Sequence, residues 1–363
     1  MNRERPELEL VELLVRVARD GDESRARAIL DGDGAAGSLL ADLASYFVAS
    51  NLTERLRLMQ VARTRHPASP ELVILASRCL LNLGRLDDVD TNSKPLLAAE
   101  PQHPHIENLV AALSHARGDA TAARQRLEAL LQREPSVEAH QRLAAWLLEA
   151  GDLAGATRHI EDALYLAPAN ANVQVLRFEV ELAAGRVEAA ELAMRHALRL
   201  RPTDPRVRAL PLELALHRGD LPGALRLLDL QSDDLFARAA VVVPLRCEAY
   251  FRARDAERLA RALGDWRVDA EPAASESVAP RTAPREYFVA ALAYLREDLE
   301  ALRTEVAKLT PRYQATANDW LRLLEQAGQR RAGARRFVAV LAVAGGLIAL
   351  TLIVVWRRRG AAR

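Results

Sequence analysis

The chain has 363 residues, 50% of them apolar, 27% charged and only 4% aromatic, with a net charge of +1. That apolar share is ample for a packed core and excludes disorder over most of the length. Residues 330–363 hold eight arginines and no acid, so residues 1–329 carry −7, and an acidic body without a basic stripe lacks the electrostatic footprint of a nucleic-acid binder.

Lysine occurs only at Lys94 and Lys308, a bias toward Arg and Ala that matches high-GC, bacterial coding. Cys79 and Cys247 fit no paired metal or redox spacing and read as reduced cysteines packed as small apolar side chains.

Residues 1–35 read as an N-terminal helical cap, with a helical pair over 7–30 turning at "DGD" (20–22). Acids interrupt its apolar residues, so it is an amphipathic segment and not a secretory signal.

From residue 36 to 236 the chain repeats itself. "EAGDLAGATRHIEDALYLAP" (149–168) returns 34 residues later as "AAGRVEAAELAMRHALRLRP" (183–202) with Gly, Ala, Ala and Pro at the same offsets. Turn glycines at Gly84, Gly118, Gly151, Gly185 and Gly219 are 33 or 34 residues apart. Pro67, Pro101, Pro135, Pro168 and Pro202 keep the same beat, and the last four each fall 17 residues after a turn glycine. Periods of this length mark stacked repeats.

Each unit is predicted to be a helical hairpin, as in "VEAHQRLAAWLLEA" (137–150) followed by "LAGATRHIEDALYLA" (153–167). Gly frees the backbone for a tight interhelix turn, and Asp119, Asp152 and Asp220 are placed to cap the helix that follows. Pro, without an N–H, ends the second helix and opens the next unit. Ala123, Ala156, Ala190 and Ala224 recur five residues after a glycine, where two helices must cross closely. Leu127, Ile160, Met194 and Leu228 add bulk one turn on. No single hairpin buries its apolar face, so the units must stack.

This pattern resembles the tetratricopeptide repeat family over about residues 36–236, and most closely over 137–204. There Ala144, Gly151, Ala156, Ala163 and Pro168, then Gly185, Ala190, Ala197 and Pro202, fall on the family's positions. Departures are Phe178 and Leu212 where the family has a small residue, Val89 for the second-helix Ala, the missing early Trp, and Phe236 for a sixth Pro. The resemblance implies an all-α solenoid of about six stacked hairpins. It also implies a concave groove lined by the first helices, and places Arg78, Asn82, Asn108, Gln141, Glu149, Glu179, Glu213 and His217 on that side. Glu179 and Glu213 in the later repeats would repel an acidic peptide end and favour a basic or amphipathic helical partner.

Past the array, residues 237–270 read as a degenerate helical pair around "PLRCEAYFRARDAERLARAL" (244–263), and 271–286 as an exposed loop rich in Pro, Ala and Ser. Helical periodicity resumes over 287–331, as "YFVAALAYLREDLEALRTEVAKL" (287–309) and "RYQATANDWLRLLEQAGQRR" (312–331).

Residues 337–356, "FVAVLAVAGGLIALTLIVVW", run 20 residues without a charge between arginine clusters, enough for a helix to cross the roughly 30 Å hydrocarbon layer. A C-terminal transmembrane helix is therefore expected, followed by an Arg-rich tail over 357–363. Four arginines precede the span and four follow it, so flanking charge does not orient it. Without an export signal, the expected topology is tail-anchored, with the body in the cytoplasm. Ala342, Gly345, Gly346 and Ala349 share one face of the span and would let a second such helix pack close, a candidate dimer contact.

No phosphate-binding loop, nucleophile elbow or metal-ligand spacing is present, and no cofactor, metal or enzymatic activity is expected. His103 and His105 in "HPH" read as a solvated turn, and Glu161 and Asp162 as a solvated face. Two functions remain open at this point: a membrane-tethered scaffold that binds protein partners at the cytoplasmic face, or a non-catalytic accessory subunit of an envelope or polysaccharide assembly or secretion complex.

Overall fold

The computed structural model describes residues 28–31, 37–49, 52–99, 102–230, 236, 239, 241–266 and 283–330. All regular structure among them is α-helical. By packing, the chain divides into two compact units, residues 1–245 with 266–281, and residues 246–265 with 282–363.

Among the described residues, the first unit contains six successive hairpins. They pair α1 (Leu39–Val48) with α2 (Leu52–Arg65), α3 (Pro70–Asn82) with α4 (Leu86–Ala99), and α5 (Pro104–Ala116) with α6 (Ala120–Arg133). The remaining pairs are α7 (Val137–Glu149) with α8 (Leu153–Leu166), α9 (Ala171–Ala183) with α10 (Val187–Leu200), and α11 (Pro205–Arg218) with α12 (Leu221–Leu230). In each, the first helix is called A and the second B.

Local chemistry explains the hairpins. Gly84, Gly118, Gly151, Gly185 and Gly219 all take left-handed φ values between 70° and 90°. A Cβ at any of these five would meet nothing within 4 Å, so glycine is required for conformation and not for space. The next residue caps helix B where it is Asp: the carboxylates of Asp119, Asp152 and Asp220 accept from the N–H of Ala122, Gly155 and Gly223, each at 2.9 Å. Pro70, Pro104 and Pro205 open A helices, where the missing N–H costs nothing. Pro101 lies outside the described residues.

The predicted crossing residues sit in the core. Ala123, Ala156, Ala190 and Ala224 are fully buried, and Leu127, Ile160 and Leu228 are buried beside them, with Met194 partly so. The large Phe178 is also fully buried, because Ala190, Ala193 and Ala197 of α10 leave room for its ring in the same cluster. Cys79 and Cys247 are both buried and in no disulfide, and burial pushes the Cys247 thiol up to about 12.

The second unit uses the same turn without glycine. It holds residues 246–252 of α13 (Val242–Arg252), then α14 (Ala256–Asp265), α15 (Arg285–Leu295), α16 (Leu299–Val306) and a helical stretch over 311–330, α17. The stretch 287–309, which reads as one helix in sequence, is broken between α15 and α16. Glu297 adopts φ +56° there, and the Asp298 carboxylate caps α16 by accepting from Ala301 N–H at 3.0 Å. Arg254 also adopts φ +56° before Asp255, whose carboxylate accepts from Arg258 N–H at 2.9 Å. The backbone bonds match those at Gly151. Asp152 N–H reaches Leu147 O at 2.8 Å, Asp255 N–H reaches Tyr250 O at 2.9 Å, and Asp298 N–H reaches Ala293 O at 3.0 Å. The repeat's turn therefore persists where its signature residue is gone. Aromatic rings fill this unit's core, with Trp320 stacked on Tyr294 at 5.4 Å and tilted against Tyr287 and Phe251.

Among the described residues no helix is long and apolar enough to cross a membrane. The span expected at 337–356, its flanking tail, the cap over residues 1–27 and most of the 271–286 loop lie outside the described residues.

Candidate partner-binding face

Successive A helices pack on one another, α3 on α5, α7 on α9 and α9 on α11. Side chains at matching positions of each A helix therefore share one wall. His105, Glu138 and Arg206 are second residues of their A helices, Asn108 and Gln141 fifth residues, and Arg78, Glu179 and Glu213 ninth residues.

Glu138 of α7 organises this wall. Its Oε1 accepts from Arg78 Nη2 of α3 and lies 3.3 Å from Arg142 Nη2, while His105 Nδ1 of α5 lies 3.2 Å from its Oε2. Arg78 and Glu138 are 60 residues apart, two repeats along the chain. The contact therefore links the A helices of the second and fourth hairpins. Burial alone would raise the Glu138 carboxyl, but Arg78, the hydrogen bond with His105 and Arg142 hold it well below the usual carboxylate range.

The later repeats carry the reverse polarity. Glu179, the ninth residue of α9, pairs with Arg206, the second residue of α11, and both side chains are nearly buried. A paired buried carboxylate is stabilised by its partner and offers little charge to a ligand.

The sequence-derived groove residues thus have different environments. Arg78 joins the Glu138 network, and Glu179 is closed off by Arg206. Asn108 is buried, donates from Nδ2 to Pro104 O at 3.1 Å, and has an Oδ1 acceptor without a hydrogen-bond partner. Asn82, Gln141 and Glu213 are half-buried, while Glu149 and His217 are exposed. Glu149 lies 3.6 Å from His115 Nε2, whose ring stacks on Trp146 at 4.3 Å. Glu149, Glu179 and Glu213 do not form one exposed acidic stretch, because Glu179 is buried. Around Glu138, two guanidiniums face one carboxylate.

Glu138, Arg142 and Arg206 do not stand out in the sequence, although their A-helix positions are countable, and His105, expected in a solvated turn, lies in the first turn of α5 beside Glu138. Also missed was a cluster of His140 with His159 and Asp162, whose ligand atoms lie within 4.8 Å of one another. The His159 to Asp162 spacing, one helical turn, was the available signal.

Stacked antiparallel hairpins with left-handed Gly turns and alanine crossings define a helical-repeat protein. Residues 147–214 match the model of the tetratricopeptide repeat family. The fold is similar to that in the crystal structure of the APC/C hetero-tetramer Cut9-Hcn1, with TM-score 0.65 and 14% identity over 88% of this chain and 64% of that one. It is similar also to yeast Tom70, with TM-score 0.49 and 14% identity over 91% of this chain and 66% of that one. A third similar structure is a tetratricopeptide repeat protein from Parabacteroides merdae, with TM-score 0.46 and 14% identity over 66% of this chain and 91% of that one. The chain spans less than two thirds of the length of the first two structures. No curated protein is significantly similar in sequence. At these identities the likeness concerns the fold alone, a tetratricopeptide-type helical solenoid.

Proposed function

We propose that this chain is a membrane-tethered bacterial scaffold whose A-helix wall holds an amphipathic or basic helical segment of a protein partner. The observation that carries the reading is the wall itself, in which Gln141 is half-buried and Glu149 exposed while Glu138 and Glu179 are neutralised by arginines. An apolar stripe flanked by a few cations suits such a surface, with Glu149 supplying the complementary charge. The uncharged run 337–356 supports tethering to a bilayer, and its Ala342, Gly345, Gly346 and Ala349 face supports pairing of two anchors.

The test uses the full chain captured from detergent-solubilised membranes. Gln141→Lys with Glu149→Lys should lose the partners held by the natural chain while far-UV circular dichroism stays unchanged. Recovery of the same partners with the same salt dependence would overturn the wall as the binding surface. Protease added to intact spheroplasts should leave the body uncut. Digestion there would place the array outside and favour an accessory subunit of an envelope or polysaccharide assembly complex.

A further inference from the structure

His140 lies in the first turn of α7, and His159 and Asp162 lie one turn apart on α8, the partner helix of the same hairpin. His140 Nδ1 is 3.0 Å from His159 Nδ1 and 3.7 Å from Asp162 Oδ2. We propose that these three side chains form a site for one divalent transition-metal ion of the zinc class, which clips α7 to α8.

The geometry fits the ion. Zinc binds imidazole nitrogen and carboxylate oxygen at about 2.0–2.2 Å, so tetrahedral donors stand about 3.3 Å apart. The His140–His159 and His140–Asp162 separations straddle that value, and all three donor atoms lie within 4.8 Å of one another. Two imidazoles and one carboxylate form a donor set that zinc, cobalt and nickel accept. Three protein ligands leave a fourth position for water or for a partner's side chain. Asp162 is 52% exposed and His140 13%, so an ion can enter from solvent and then be held against the hairpin.

The arrangement of nitrogens also requires explanation. Two Nδ1 atoms at this distance cannot both carry hydrogen, so without a metal one donates to the other. With a metal both Nδ1 lone pairs face the ion and both hydrogens sit on Nε2. Burial lowers the basicity of His140, opposed by Asp162, and burial lowers that of His159, helped by the charges of His140 and Arg158 and opposed by Asp162 and Glu128.

Repeat packing does not demand this trio. At the matching places in the second hairpin stand Val73, Asn92 and Pro95, and these places do meet, since Asn92 Nδ2 donates to Val73 O at 3.1 Å. In the third hairpin the places hold Glu107, Arg126 and Ala129, and in the fifth Gln174, Ala193 and His196. Two histidines and an acid together occur in the α7–α8 hairpin alone among these repeats.

The test is titration of the untagged, full-length chain in detergent with zinc chloride by calorimetry, and with cobalt by visible absorption. One ion should bind per chain, with the intense ligand-field bands of a four-coordinate cobalt site. His159→Gln and Asp162→Asn should each weaken binding by more than about tenfold, since even loss of a supporting group around a metal costs that much. Helicity should stay unchanged, and the exposed Asp162 gives a variant that cannot fail merely by misfolding. His105→Gln, in the cluster around Glu138, should leave binding intact. Absence of a stoichiometric ion, binding unaffected by the two ligand variants, or binding lost in His105→Gln would each overturn the assignment.

Discussion

Replacing Gly151 by Ala asks an L residue to hold φ +81° between α7 and α8. The new Cβ meets nothing within 4 Å, so steric clash contributes no penalty. The left-handed backbone costs about 1–2 kcal/mol. A stiffer unfolded chain offsets about 0.4–1 kcal/mol of that, leaving a net loss near 1 kcal/mol. The reverse change belongs at Glu297, which already holds φ +56° with a side chain. Glu297→Gly should relieve similar strain and stabilise the α15–α16 hairpin by up to about 1 kcal/mol, the extra freedom of unfolded glycine being the offset. Repeat arrays need not unfold in one step, so the measurement is native-state hydrogen exchange at amides of the affected hairpin. A stabilising Gly151→Ala would show that the turn is not left-handed. A loss beyond about 3 kcal/mol would show that space was the constraint.

Three further outcomes follow from packing and charge. Ala156→Leu overpacks a fully buried crossing and should cost about 1–3 kcal/mol, whereas exposed Glu161→Gln should stay within about 0.5 kcal/mol of neutral; equal losses would refute the crossing. Glu138→Gln removes the carboxylate that Arg78 and Arg142 share and should destabilise the wall by about 1–3 kcal/mol near pH 7. Because the folded carboxyl is depressed, that stabilisation is fully present above the unfolded carboxylate pKa near 4.3 and is lost as pH falls toward the folded value. Acid titration of both proteins should therefore show their stabilities converging below about pH 4, and a gap unchanged from pH 7 to pH 2 would refute the network.

What could be read without coordinates was whatever depends on separations of a few residues or on one strict period. A left-handed turn needs glycine at one position, an N-terminal cap needs Asp at the next, and a close crossing needs alanine five residues after the turn. Gly151, Asp152 and Ala156 therefore announced both the hairpin and the stack. The reading failed where that chemistry was replaced. At Glu297 helical periodicity runs straight through, and the break is sustained by the Asp298 cap and by packing of α15 on α16, which local pattern does not encode.

The candidate sites divide in the same way. Counting from the turns placed Arg78 and Glu179 on the A-helix side, because helix registry is local. Whether each charge stays open depended on the packing of the A helices, which brings Arg78 to Glu138 across 60 residues and Arg206 to Glu179 across 27. His140 and His159 meet for a similar reason, through the register of two antiparallel helices 19 residues apart. The sequence by itself determined the all-α repeat architecture, through backbone conformations and small residues set at fixed intervals. Only the tertiary structure decided which polar groups neutralise one another and which face solvent, because charge pairing follows distance in space and that distance is set by how successive hairpins lean on each other.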